Sequence, residues 1–154
     1  MAIRQELSRS DVFHFAGHAL SGVKQSGLVL ASLPEEQGGN DEPALLSAGE
    51  LDKADLQSLQ LVVLSACATA ETEKGFVSPD TLVRVFLHAG VPHVIATHWP
   101  IDSHSTKQMM AEFYSRVLEK ISIDQALQQA ASQLRVQPAT AHPYYWAAFN
   151  SYGR

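Results

Sequence analysis

The feature that most constrains the fold is a short apolar run followed at once by small residues. The run Leu61-Val-Val-Leu64 contains β-branched residues and no polar residue. This pattern is typical of a strand buried on both faces of a parallel sheet. The small residues Ser65 to Thr69 come next, and ligands of open α/β sheets bind at the carboxyl ends of the strands. Cys67, the single cysteine of the chain, lies in this segment. The segment therefore predicts a functional site at the carboxyl end of the strand.

A second strand-like run, residues 11–18, also ends in small residues, Ala16 and Gly17, before His18. If the two strands are parallel neighbours, His18 and Cys67 face each other across one crevice. An imidazole can take the proton of a thiol, and the thiolate is then a nucleophile for a carbonyl carbon. The alternatives are a buried, inert Cys67 and a structural His18. The residues by themselves leave these alternatives open.

Two other polar residues in these runs are given structural roles. We interpret His14 as a near-core histidine that hydrogen-bonds a neighbour. We interpret Ser65 as a small residue in a tight turn, because the Gly-x-Ser-x-Gly pattern of serine hydrolases is absent. The scattered histidines form no His-Glu-x-x-His pattern, so no metal site is expected.

Composition excludes several classes of protein. A length of 154 residues predicts a single domain, residues 1–154. The net charge of -5, with no cluster of Lys and Arg, argues against nucleic-acid binding. No apolar run approaches bilayer length and no signal peptide begins the chain, so no membrane association is expected. One cysteine excludes an intramolecular disulfide and suits a reducing compartment, which favours a cytoplasmic location.

The remaining pattern predicts an α/β domain. A β-hairpin with short strands near residues 27–31 and 44–46 follows His18, and a third core strand covers residues 91–98. Helices precede and follow that strand, and the aromatic segment 142–149 is predicted as the final strand. The long links between core strands favour a mainly parallel sheet with helices on both faces.

The rim of the predicted crevice continues after the third core strand, in the segment Trp99 to Ser103. A helix opens near Ser103, so Asp102 is as well suited to capping that helix as to binding substrate. Trp99 suits the core or a pocket wall better than a catalytic role. Together with Thr69, these residues are the candidate substrate-binding positions.

Four blocks of the sequence carry a resemblance to a known family. They are His14-Phe-Ala-Gly-His18, Leu61-Val-Val-Leu-Ser-Ala-Cys67, the segment from Ala89 to Ala96 continued through Trp99 to Asp102, and His142-Pro-Tyr-Tyr-Trp-Ala-Ala-Phe149. In this order they resemble the CHAT domain, a caspase-like peptidase module of clan CD that is often fused to tetratricopeptide repeats. They span nearly the whole chain, and their order makes the resemblance specific.

The resemblance implies a caspase-like or separase-like three-layer αβα sandwich with a mainly parallel sheet. It implies a cysteine endopeptidase that cleaves a protein or peptide substrate through a thioester, with His18 and Cys67 as the dyad. The oxyanion would be held by the backbone N–H of Cys67 and by one near His18, from Gly17 or Ala19. It implies no metal and no organic cofactor. An attached or separate repeat or sensor domain is the further implied partner.

Three departures from the family pattern carry expectations. Ala19 replaces the usual glycine, and a positive φ there would strain the backbone by about 1 kcal/mol or more. Ser103 stands where relatives have an acidic residue for a basic substrate side chain, with Asp102 one position earlier, so specificity for Arg or Lys is in doubt. The chain begins near the His18 strand, so we expect it to be the C-terminal part of a longer domain or protein, with the His18 strand as an exposed sheet edge.

Two classes of function follow from these observations. The intact His18 and Cys67 pair favours a cysteine endopeptidase acting on a protein. Ala19 and the missing upstream strands favour a catalytically inactive caspase-like module that serves in interaction or signalling. A nucleotide-binding domain is discounted because no Gly-x-Gly-x-x-Gly or Walker pattern is present.

Overall fold

The strand that contains Cys67 lies in the interior of a six-stranded sheet in the computed structural model of the chain, which describes residues 2–20, 26–30, 44–68, 80–100 and 102–153. The elements, in chain order, are α1 (Ala2–Leu7), β1 (Val12–Leu20), β2 (Gly27–Leu30), β3 (Ala44–Ser47), α2 (Ala48–Leu51), β4 (Leu61–Ala68), α3 (Asp80–His88), β5 (His93–Thr97), α4 (Ser103–Leu118), α5 (Ile123–Arg135), a 3₁₀ turn (Pro143–Tyr145) and β6 (Phe149–Gly153).

The sheet has the strand order β3-β2-β1-β4-β5-β6. β4 pairs in parallel with β1 on one side and with β5 on the other. The β2–β3 hairpin and β6 add antiparallel pairs at the two sides. In the described part of the chain, β1, β3, β4 and β5 therefore run in one direction and β2 and β6 in the other. The predicted mainly parallel α/β sheet is confirmed.

Side chains of the central strands alternate between two apolar cores, because successive strand residues point to opposite faces. In β4, Val62 and Leu64 belong to the first core, whereas Leu61 and Val63 belong to the second. These four residues are at most 3 % exposed, as expected of a continuous apolar strand covered on both faces. The predicted buried strand is thus correct.

Helices cover both faces of the sheet. Leu82, Val83 and Phe86 of α3 contribute to the first core, with residues of α1 and α2. α4 and α5 cover the other face. Their buried residues in the second core are Met109, Met110, Phe113, Ala126, Leu127, Ala130 and Leu134. The arrangement is a three-layer αβα sandwich. No helix in the described ranges is long and apolar enough to cross a membrane.

The expectation that β1 forms an exposed edge is wrong at its carboxyl end. Ala19 and Leu20 pair with β2, and this pairing places the hairpin on the side of β1 away from β4. Over residues 12–18, the described residues supply no partner on that side, and Val12 is 45 % exposed. Within the described ranges, the edge is thus covered just after His18 and has no strand partner further back. That the chain is part of a longer domain stays a prediction.

The final strand lies later than predicted. Pro143, which has no N–H and a fixed φ, begins a 3₁₀ turn instead of a strand. The Nδ1 of His142 accepts a hydrogen bond from the backbone N–H of Tyr144 at 3.2 Å and so caps this turn. β6 then pairs antiparallel with β5, with Phe149 beside Thr97. Residues 142–148 of the aromatic block therefore precede the strand, and Phe149, its last residue, lies within the sheet.

Candidate active site

β1 and β4 bring the two predicted dyad positions side by side. Their parallel pairing runs over eight residue pairs, and within it His18 is the partner of Cys67. Neighbouring strands are about 4.8 Å apart, so the backbones of His18 and Cys67 lie next to each other at this spacing. Both positions lie near the carboxyl ends of their strands, the end at which open α/β sheets bind ligands.

A pocket of ≈ 470 Å³ lies on the α4 side of the sheet and reaches His18. It is bounded by β1, β4, the end of β5 and the first two turns of α4. The lining residues are His14, Ala16, Gly17, His18, Ser65, Thr97, Ser103, Thr106, Lys107 and Met110. The pocket therefore lies beside His18, one of the two predicted dyad residues.

The alternation of side chains along β1 explains why this space is open. β1 contributes His14, Ala16 and His18 to the pocket. Phe13 and Phe15, its large apolar residues, pack against the first core on the other face. The short side chain of Ala16 leaves a gap between two imidazoles that no apolar residue of β1 fills. The α4 side of β1 thus borders an open cleft instead of a continuation of the second core.

His14 joins three of the elements around the pocket. Its Nε2 lies 3.3 Å from the Oγ of Ser65 in β4, and its Nδ1 lies 3.0 Å from the hydroxyl of Tyr114 in α4. The imidazole and phenol rings also contact each other, with centroids 5.7 Å apart. The predicted hydrogen bonding of His14 is correct, although its side chain is exposed to the pocket. Ser65 lies in a strand, so the predicted tight turn is wrong.

The environment of this network favours its uncharged forms. Desolvation lowers the pKa of His14 from its ordinary value of 6.5. Desolvation also raises the pKa of Tyr114 above its ordinary value of 10.0. At neutral pH, His14 is therefore a neutral imidazole with one donor and one acceptor nitrogen, and Tyr114 keeps its proton.

Asp102 caps α4. Its Oδ2 accepts a hydrogen bond of 2.8 Å from the backbone N–H of Ser105. This bond is the main cause of the lowered pKa of the Asp102 carboxyl. Ser103 is the first residue of the helix and lines the pocket, whereas Asp102 is not among the lining residues. Of the two neighbouring candidates, the structure brings only Ser103 to the pocket.

Trp99 connects the end of β5 to the 3₁₀ turn. Its indole N–H donates a hydrogen bond of 3.0 Å to the carbonyl oxygen of Tyr144. The hydroxyl of Tyr144 donates in return to the carbonyl oxygen of Pro100 at 2.7 Å. Trp99 is not among the lining residues of the pocket, so these contacts give it a structural role outside it.

The two candidate oxyanion donors beside His18 differ in placement. Gly17 lines the pocket. Ala19 is 5 % exposed in the first core, and it pairs with Leu28 on one side and Ala68 on the other. Ala19 has an extended backbone, and in the described residues Lys120 is the non-glycine residue with a positive φ, so the strain considered for Ala19 does not arise.

Two further expectations concern residues and groups around this site. Thr69, a predicted substrate-binding residue, lies outside the described residues. Among the residues that the structure describes, no group of three or more His, Cys, Asp or Glu side chains could hold a metal ion.

Of the described lining residues, Gly17, His18 and Ser103 were predicted as site residues. His14 and Ser65 were given structural roles, and Ala16, Thr97, Thr106, Lys107 and Met110 were not assigned to the site. Thr97 ends β5, and Thr106, Lys107 and Met110 line the pocket from α4. The position of Thr97 at the carboxyl end of a core strand was an available signal. The α4 residues gave no such signal, because their place at the pocket depends on how the helix lies across the sheet.

Comparison with known proteins agrees with this arrangement. The family model of the CHAT domain matches residues 1–154. Tetratricopeptide repeat protein 28 of Mus musculus is 35% identical over 113 residues, which cover 71% of this chain and 4% of that protein. Tetratricopeptide repeat protein 28 of Homo sapiens is 32% identical over 103 residues, which cover 64% of this chain and 4% of that protein. The matched region is thus a small part of each of these relatives.

Proposed function

The chain belongs to the CHAT domain family, and from this premise we propose that it is a cysteine endopeptidase with His18 as base and Cys67 as nucleophile. The observation that carries the proposal is the register of the two central strands, in which His18 pairs with Cys67. A pocket adjoins His18 and provides space for part of a substrate. The proposed substrate is a protein or peptide.

The proposed reaction has two stages. His18 takes the proton of the Cys67 thiol, the thiolate attacks the scissile carbonyl carbon, and the C–N bond breaks as the imidazolium returns its proton to the leaving amine. His18 then takes a proton from water, and the resulting hydroxide attacks the thioester carbon. The C–S bond breaks, the carboxylic acid leaves, and the thiol is restored.

The oxyanion of each tetrahedral intermediate needs donors that are already in place. We propose the backbone N–H groups of Cys67 and Gly17 for this role. Ala19 suits it less well, because Ala19 is paired with strands on both sides and is buried in the first core. The family resemblance alone supports the choice of Cys67.

The test is the pH dependence of Cys67 alkylation by iodoacetamide, followed by mass spectrometry. The chain has one cysteine, so the label reports a single site. A free cysteine gives a midpoint of about 8.5, and we expect a midpoint well below this value in the wild type. His18→Ala should move the midpoint upward, whereas His88→Ala, a change at the exposed end of α3, should not. Equal rates for the wild type and His18→Ala would contradict the dyad.

A second candidate function is an inactive module for interaction or signalling. The placement of Ala19 favours it, because the strand continues through this position and leaves fewer free backbone N–H groups near His18. An alkylation midpoint at or above about 8.5, together with no cleavage in a peptide library, would select this alternative.

The proposed partner, beyond the substrate, is a repeat region in the same or another chain. Two relatives bear the name tetratricopeptide repeat protein, and the matched segment covers 4% of each. Such a region could control access to the pocket. A cytoplasmic location remains a proposal from the single cysteine.

A further inference from the structure

The permanent charge among the described side chains that line the pocket beside His18 is positive. Among its described lining residues, Lys107 is the side chain with a permanent charge, and His14 and His18 are the other titratable groups. The hydroxyl groups of Ser65, Thr97, Ser103 and Thr106 complete the polar lining. Thr97 and Thr106 donate their hydroxyl protons to backbone carbonyl oxygens, and the hydroxyl of Ser65 is hydrogen-bonded to His14. No carboxylate is present among these described residues, which therefore offer a cation and no anion.

Lys107 has no carboxylate partner in the part of the chain that the structure describes. Arg116, further along the same helix, is paired with Glu112 at 2.6 Å and with Glu119 at 3.2 Å. The acidic residues of this region thus neutralise Arg116 and leave the positive charge of Lys107 at the pocket.

The acidic residue that the sequence predicted at this pocket is engaged elsewhere. Asp102 accepts the backbone N–H of Ser105 at 2.8 Å and does not line the pocket. Among the described lining residues, a basic substrate side chain would therefore meet Lys107 and no compensating carboxylate. An acidic side chain would meet the same cation and the hydroxyl of Ser103.

We infer that this pocket binds an acidic side chain of the substrate, Asp or Glu, and that Lys107 determines this preference. That the ligand is a peptide rests on the proposed function. Lys107 forms the ion pair, and the hydroxyl of Ser103 on the same helix donates to the remaining carboxylate oxygen. The hydroxyl of Thr106 already donates to the carbonyl oxygen of Asp102 at 2.8 Å. A charge-assisted contact of this kind corresponds to a preference of about tenfold or more over the uncharged amide.

The first test uses three peptidyl acyloxymethyl ketones that differ only in the residue next to the reactive carbonyl: Asp, Asn or Lys. The second-order rate of Cys67 labelling is measured for each probe. We expect the Asp probe to react about tenfold faster than the Asn probe and the Lys probe to be slowest. Lys107→Gln should remove the preference for Asp over Asn, and Lys107→Glu should favour the Lys probe. Lys53→Glu, at an exposed site away from the pocket, is the matched control and should change nothing.

The second test does not need a reactive thiol. In Cys67→Ala, the imidazole NMR signals of His14 and His18 are followed during titration with N-acetyl amides of Asp, Asn and Lys. We expect the Asp compound to bind most tightly, and the added Lys107→Gln change to abolish this difference. Equal affinities for Asp and Asn, or tighter binding of Lys, would overturn the inference.

Taken together, the measurements separate the two proposals. A low alkylation midpoint with no preference for the Asp probe would leave the dyad intact and overturn the proposed binding of an acidic side chain. An inert thiol with selective binding of the Asp compound would contradict the peptidase and support the binding of an acidic side chain.

Discussion

The Nδ1 of His14 and the hydroxyl of Tyr114 lie 3.0 Å apart, although 100 residues separate them in the chain. The contact joins β1 to α4, and the other ring nitrogen of His14 continues it to Ser65 in β4. Three elements that bound the pocket therefore share one hydrogen-bonded network. The depth and shape of the pocket depend on this network, because α4 covers the sheet beside it.

The lowered pKa of His14 predicts an acid-sensitive contribution to stability. The unfolded chain binds a proton near the ordinary value of 6.5, whereas the folded chain binds it at a lower pH. This contribution is therefore fully present above 6.5 and is lost as the pH falls from 6.5 through the folded pKa. Urea unfolding from pH 8 to pH 5 should show the loss in the wild type. His14→Gln should flatten the profile over this interval and His88→Gln should not, and a profile that His14→Gln leaves unchanged would refute this account.

Removal of the Tyr114 hydroxyl tests the network without removing the ring. Tyr114→Phe should lower the free energy of unfolding by about 1 kcal/mol, because His14 loses a hydrogen-bond partner while the ring contact remains. Tyr145→Phe is the matched control in the 3₁₀ turn. Urea denaturation measures both variants, and equal losses would argue against a specific contribution from the His14 contact.

Asp102 should prove to be structural. Asp102→Ala removes the acceptor for the Ser105 N–H and should lower the Tm, whereas Asp102→Asn keeps an accepting oxygen and should lower it less. The pKa of the carboxyl is lowered, so this contribution is present above the ordinary value of 3.8 and is lost as the pH falls through the folded pKa. Thermal unfolding by circular dichroism measures the effect. A substrate role would instead appear as a changed probe preference at unchanged Tm.

Phe113 anchors α4 on the sheet. Its side chain is 0% exposed in the second core, so Phe113→Ala should lower the free energy of unfolding by about 3–5 kcal/mol. Phe113→Leu fills most of the same volume and should cost less. Chemical denaturation gives the values. A loss below about 1 kcal/mol for Phe113→Ala would show that this core adjusts freely to a cavity.

Cys67→Ala should abolish cleavage of any peptide substrate that the wild type cuts, while the far-UV circular dichroism spectrum stays unchanged. The expected result follows from the removal of the proposed nucleophile. His88→Ala, a change at the exposed end of α3, is the control and should retain cleavage. Residual cleavage by Cys67→Ala at the wild-type rate would rule out Cys67 as the nucleophile.

Local patterns in the sequence determined much of the fold. The apolar run at Leu61–Leu64 specified a buried central strand, since no arrangement exposed to water stabilises four consecutive apolar side chains. The small residues after it, and the similar end of the strand before His18, identified the end of the sheet where the candidate site lies. The resemblance of the ordered blocks identified the CHAT family, which the family model confirmed.

Only the tertiary structure decided which polar residues share the pocket. Asp102 and Ser103 are neighbours in sequence, yet the first turn of α4 engages one as a cap and presents the other to the pocket. Lys107 lines the pocket because α4 crosses the sheet at that point, and desolvation in the folded chain lowers the pKa of His14. Such relations depend on long-range packing between elements, which the periodicity of a single segment does not specify.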